Sequence, residues 1–181
     1  MYRRILIVLD DQPACQTAIR HGVEMARVHG AEVVFLYVLP HYSFPLVDVP
    51  PLAEFSAEHF NREARETASR VLKAATDRAE ASEVHSQRAM GSGTDPAVYV
   101  AEAASKRQCE MIVVATEGRN AVMRIISGSI VPGLITNASV PVMVCRQDEG
   151  ANGTRRRVVR RRVARRSEAG PLMESVNAVV A

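Results

Sequence analysis

Four short apolar runs constrain this chain more than anything else in it: Ile5–Leu9, Val33–Val38, Met111–Ala115 and Val140–Cys145. Each is five or six residues long, rich in β-branched side chains and apolar on both faces. A half-wet strand alternates polar and apolar residues, whereas a strand apolar on both faces belongs in a parallel sheet covered by helices. A weaker strand candidate, Glu83–Ala89, mixes polar and apolar positions. No run approaches the ~18 apolar residues of a membrane span.

Helical patterns lie between the runs. Pro13 suits a helix's first turn, Cys15, Ala18, Gly22 and Met25 follow on one stripe, and Gly30 is a stop. Ala64, Ala68, Val71, Leu72, Ala75 and Ala79 mark a longer helix. Asp95-Pro96 is an N-cap and first-turn pair ahead of Ala97, Val100, Ala101 and Ala104, ending at Lys106 and Arg107. Ile130, Leu134, Ile135 and Ala138 mark a last helix, weakened by Pro132 and Gly133. Repeated strand–helix alternation predicts an α/β three-layer sandwich, with a mostly parallel sheet and about four helices. Pro40 to Pro51 reads as a long irregular insertion after the second strand, and residues 147–154 as a linker.

Hydrophobic residues make up 47% of the 181 and charged residues 24%, enough for a sizeable core. Arg3 and Arg4 precede the Ile5–Leu9 run, but five apolar residues are too few for a signal peptide core. Three widely spaced cysteines (Cys15, Cys109, Cys145) form neither a disulfide framework nor a metal knuckle, so a reduced, cytoplasmic protein is expected. Residues 1–146 carry 15 basic and 16 acidic side chains, and residues 147–181 carry 8 and 4. The expected organisation is therefore a nearly neutral domain over 1–146 and a basic tail over 147–181. Within the tail, Arg155–Arg166 packs eight arginines into twelve positions. It is either a solvated extension or a salt-sensitive contact with nucleic acid or anionic lipid; without interleaved aromatics, it does not read base sequence.

In an open parallel sheet, ligands bind beyond the carboxyl ends of the strands, where strand order reverses. The residues there are Asp10-Asp11, Leu39-Pro40-His41 and Thr116-Glu117-Gly118-Arg119. The stretch from Ala115 to Ile130 joins a buried strand to a helix through Gly118 and Gly128-Ser129. Glycines let main chain approach a phosphate, and N–H groups at a helix start point toward an anion. A plain strand–helix loop uses glycines too, so the segment alone leaves both readings open.

Rival sites are weaker. Asp10-Asp11 resembles the acidic pair of phosphoacceptor receiver domains, but Met90-Gly91 and Arg146-Gln147 stand where that chemistry needs an Asp and a Lys. Gly91-Ser92-Gly93 resembles the start of a dinucleotide fingerprint, which would make the chain a redox enzyme, but Pro96 replaces the third glycine. A turn plus helix cap is the expected role of Gly93 to Pro96. His21, His29, His41, His59 and His85 have no metal-ligand spacing, and Gly128-Ser129 lacks the spacing of a nucleophile elbow. No dedicated catalytic apparatus is visible, so the expectation is a protein that is not an enzyme.

The 115–130 stretch resembles the nucleotide loop of the universal stress protein family: Gly, two residues, Gly, nine residues, Gly, then Ser or Thr. Here it reads Ala115, two residues, Gly118, nine residues, Gly128, Ser129. The likeness extends to ILIVLD at 5–10, GAEVVFLYV at 30–38, residues 93–115 and VPVMVCR at 140–146. The resemblance implies a five-stranded sheet in the order 3-2-1-4-5 and ATP, with or without Mg2+, held between the ends of strands 1 and 4. It implies Asp10 beside adenine and ribose, the backbone of Val38 at the adenine edge, and Gly118, Gly128 and Ser129 on the phosphates, with Ala115 and Ile130 flanking. It further implies a homodimer through the Val140–Cys145 edge strand and a regulatory role in stress response, with at most slow ATP hydrolysis or autophosphorylation. The alternative is a nucleotide-free dimeric interaction module tethered by its basic tail. Two positions depart from the pattern: Ala115 replaces the first glycine, and Glu117 places a carboxylate near the phosphates, which Arg119, Arg124 or a divalent cation would offset.

Overall fold

The computed structural model describes residues 1–40, 57–116 and 130–147. Five strands alternate with four helices: β1 (Arg4–Leu9), α1 (Cys15–His29), β2 (Glu32–Val38), α2 (Ala57–Glu80), β3 (Ser86–Gly91), α3 (Pro96–Lys106), β4 (Met111–Thr116), α4 (Ile130–Asn137) and β5 (Val142–Arg146). All neighbouring strands pair in parallel, in the order β3-β2-β1-β4-β5. Most of the insertion after β2 and the arginine tail lie outside the described residues.

The two-sided apolar runs build two cores. Ile5, Ile7 and Leu9 face one way with Val33, Phe35, Tyr37, Met111 and Val113, against α1 and α2. Leu6, Val8, Val34, Leu36, Ile112 and Val114 face the other way, against α3 and α4. Each strand residue thus joins the cluster dictated by its parity. Burying these side chains, at about 1.5–3 kcal/mol each, is the main stabilising term of the fold.

Three helices end by one device. Gly30, Glu83 and Gln108 adopt left-handed backbone at φ 63°, 57° and 55°. The next residue then donates its N–H five positions back: Ala31 to Ala26 O, Val84 to Ala79 O and Cys109 to Ala104 O, at 2.8, 2.9 and 2.8 Å. Ala31, Val84 and Cys109 are all buried, supplying the apolar contact that accompanies this helix ending. The device corrects the expected third strand, which starts at Ser86 instead of Glu83: Glu83 makes the turn and Val84 plugs the core.

Two glycines set helix positions. A Cβ on Gly22 would collide with the Ile7 side chain, 2.8 Å from Cγ1, so α1 lies directly on β1. A Cβ on Gly133 would meet the Ala97 methyl, so the residue that weakened α4 as a sequence signal is where α3 and α4 touch. Pro132 sits in the first turn of α4, where its missing N–H costs nothing. Ile135, expected on the buried stripe, is 67% exposed, whereas Leu134 is fully buried. Pro13 lies in tight turns ahead of α1, whose helix begins at Cys15.

Candidate functional site

The strand pairing differs along the sheet. β1 and β2 stay paired out to Leu9↔Tyr37, and β4 and β5 to Thr116↔Arg146. β1 and β4, at the point of order reversal, pair only from Ile5↔Met111 to Ile7↔Val113. Beyond that rung the two central strands run on without pairing to each other, so the sheet divides toward its carboxyl edge. A cleft at this position is the standard ligand site of an open α/β sheet.

Four of the expected site residues are brought to this edge. Asp10 and Asp11 follow β1 and are exposed. The Gln12 N–H donates to Asp10 Oδ1 at 3.0 Å and Gln12 Nε2 donates to Asp11 Oδ1 at 2.9 Å, holding both carboxylates in a turn. Val38 ends β2, half-buried against the α3/α4 cluster, and Ile130 opens α4 against the same cluster. Ala115 packs against the other cluster, with Val113 and Cys145. Its methyl is thus committed to the core on the α1 side. Gly118, Gly128 and Ser129, with Glu117, Arg119 and Arg124, lie outside the described residues, as does His41.

The end of β1 carries two carboxylates, Asp10 and Asp11. Burial first, and then the carboxylates of Asp11 and Asp10, push the phenol of Tyr37 upward. Burial pushes the Cys15 thiol up to about 11, opposed in part by a hydrogen bond at the Asp10 backbone. Burial likewise takes Cys109 to about 11 and raises Cys145. All three cysteines are free and buried, and that burial disfavours the thiolate on which redox or nucleophilic chemistry depends. Arg146, exposed and in register with Thr116, contributes positive charge at the end of β5. No group of three His, Cys, Asp or Glu side chains among the described residues is placed to hold a metal.

The rival sites resolve structurally. The order β3-β2-β1-β4-β5 is not the 2-1-3-4-5 order of receiver domains. The Asp95 side chain accepts from the N–H groups of Ala97 and Val98 at 2.8 and 3.2 Å, taking the donors that a dinucleotide phosphate would use at α3. Tyr99 fills the space over Gly91 and Gly93, so these glycines seat an aromatic ring. Sequence reasoning did not single out Tyr99; the available signal was two glycines two apart, followed by an aromatic on the helix they open. β5 is an edge strand, as expected, with Val144 40% exposed, and the opposite edge, β3, shows Gln87 and Arg88 to solvent. Among the described residues no helix is long and apolar enough to cross a membrane.

Comparison with known proteins agrees with this fold. The sequence model of the Universal stress protein family matches residues 1–146. A universal stress protein of Methanocaldococcus jannaschii is 31% identical over 147 residues, covering 81% of this chain and 84% of that protein. The crystal structure of a universal stress protein family member from Burkholderia pseudomallei superimposes with a TM-score of 0.63 at 24% identity, covering 79% of this chain and 95% of that one. The universal stress protein from Archaeoglobus fulgidus in complex with dAMP superimposes with a TM-score of 0.56 at 18% identity, covering 80% and 98%.

Proposed function

Because the chain belongs to the universal stress protein family, we propose that it binds an adenine nucleotide, ATP, where β1 and β4 part. The observation that carries this reading is the end of β1–β4 pairing at Ile7↔Val113, with Asp10, Val38 and Ala115 at the three strand ends around the opening. That a protein of the same fold holds dAMP supports the adenine class. Asp10, held by the Gln12 N–H, is placed to accept from a ribose hydroxyl or the adenine amine. The Val38 backbone offers its polar groups to the base edge, and Gly118, Gly128 and Ser129 serve the phosphates.

With two carboxylates at this edge, a triphosphate is favoured when a divalent cation accompanies it. The role is regulatory, in stress response, with ligand held rather than turned over, by a cytoplasmic homodimer that pairs through the β5 edge. Titration calorimetry of the full chain with ATP and ADP, with and without Mg2+, tests the binding, together with mass spectrometry of copurified nucleotide. Detectable affinity or a copurified adenine nucleotide is expected; neither, at millimolar ligand, overturns the reading.

A second reading rests on eight arginines within Arg155–Arg166: an interaction module whose tail attaches it to nucleic acid or anionic lipid. An empty protein whose nucleic-acid capture disappears on removing residues 147–181 favours it.

A further inference from the structure

The nucleotide reading above leaves one built feature at the carboxyl edge unused. Tyr99 projects from the second turn of α3 onto the end of β3. A Cβ on Gly91 would land on its hydroxyl and lie 2.8 Å from Cζ, and one on Gly93 would lie 2.9 Å from its Cβ and 3.3 Å from Cγ. Two glycines therefore make a seat that admits this ring only because neither carries a side chain. The seat is firmly placed: Asp95 caps α3 through Ala97 and Val98, and the Gly91 carbonyl accepts the Leu39 N–H at 2.8 Å.

The hydroxyl end of the ring lies over Gly91, and Gly91 is the rung partner of Val38. Neighbouring strands lie about 4.8 Å apart, so the phenol stands within roughly 7 Å of the Val38 backbone. Tyr99, Val38 and Ile130 also pack, each partly buried, against the same α3/α4 cluster, so the ring shares a wall with two of the expected site residues. A phenol both donates and accepts, so it serves the mixed donor and acceptor edge of adenine or a ribose hydroxyl.

Resting on the nucleotide reading, we infer that Tyr99 is the nucleoside-positioning residue of the crevice, closing its β3 side beside Val38 and contacting base or ribose but not phosphate. The test compares ATP with inorganic tripolyphosphate as competitors for a fluorescent ATP analogue on the full chain, since the second ligand has phosphates and no nucleoside. Tyr99→Phe keeps the ring in its seat and removes the hydroxyl. It is expected to weaken ATP about fivefold, the size of one net hydrogen bond, with tripolyphosphate unchanged. Gly91→Ala, which drives the ring from its place, is expected to produce the same selective loss.

Both affinities come from one sample, so their ratio does not depend on how much of a variant is folded. Where tripolyphosphate fails to compete even in the wild type, the ATP loss against an unmoved thermal midpoint decides. Tyr99→Phe that binds ATP like wild type, or loses the same factor on both ligands, overturns the inference alone. Gly91→Ala with wild-type ATP affinity does the same. Wild type that binds no nucleotide overturns the parent reading and this inference with it.

Discussion

The two ends of the sheet are built on opposite principles. At the amino end, Arg3 grips Glu110 through its backbone N–H, Nε and Nη2 at 2.6, 2.9 and 2.8 Å. Arg4 reaches Glu32 at 2.9–3.0 Å and the Arg107 carbonyl at 2.7 Å, and Gln87 Nε2 donates to the other Glu32 oxygen at 2.5 Å. The start of β1 is thereby tied to both its neighbours, and β2 to β3. At the carboxyl end the central pair comes apart after Ile7↔Val113, and β1 runs out into two adjacent carboxylates, Asp10 and Asp11. The contrast separates the two ends: one holds the strands in register, and the other is left unpaired where the nucleotide is proposed to bind.

The largest expected effect lies in the rungs between the two ends. Ile112 is fully buried and pairs with Leu6 on one side and Val142 on the other. Ile112→Ala should cost about 2–5 kcal/mol, read as a fall in the urea midpoint of the full chain. A loss below about 1 kcal/mol would mean that the closed rungs are not where the fold is held.

Next comes the open end. Asp10→Ala should weaken ATP tenfold or more in calorimetry while moving stability by less than about 1 kcal/mol, because the turn loses one side-chain acceptor and a charged ligand contact goes. Equal losses in stability and affinity would erase the division of labour.

Glu32→Ala inverts that test. Its partners Arg4 and Gln87 lose their acceptor in a site about a third exposed, so the expected cost is about 1 kcal/mol of stability with ATP affinity unchanged.

The smallest effect is the pH dependence of the Arg3–Glu110 contact. The Arg3 backbone N–H, and then its guanidinium, hold the Glu110 carboxyl below the usual glutamate range. A lowered folded-state value gives stability that is present above the ordinary glutamate range and disappears as pH falls through the folded one. Thermal midpoints of wild type and Glu110→Gln should therefore differ slightly at neutral pH and converge in acid. A gap that widens in acid would reverse the assignment.

How far the sequence predicts this architecture depends on where a residue's constraint comes from. β1, β2 and β4 are legible because two-sided burial leaves no polar positions, and α3 because Asp95-Pro96 is a local capping signal. β3 is blurred because an edge strand keeps Gln87 and Arg88 in water, and because Val84 is buried for a helix ending. Ile135 misleads because α4 is short and buries little more than Leu134. The strand order came from family resemblance, since periodicity carries no information about neighbours. At the candidate site, Asp10 is legible as a strand end and Val38 through the family resemblance, whereas the early end of β1–β4 pairing is a tertiary fact without a local signature and the seat of Tyr99 shows in the sequence only as two glycines ahead of an aromatic.

A strand that is oily on both sides carries no polarity code for its own alignment. Sliding β1 by one position would exchange Ile7 with Leu6 or Val8 and leave those three side chains in hydrocarbon, at little transfer cost among them. What forbids the slip is shape and anchorage: the notch at Gly22 that fits Ile7, and the consecutive arginines whose forks reach carboxylates on opposite sides. Arg3 and Arg4 thus act as a vernier, and a one-residue insertion behind them is a sharper probe of alignment in this sheet than any swap of one apolar side chain for another.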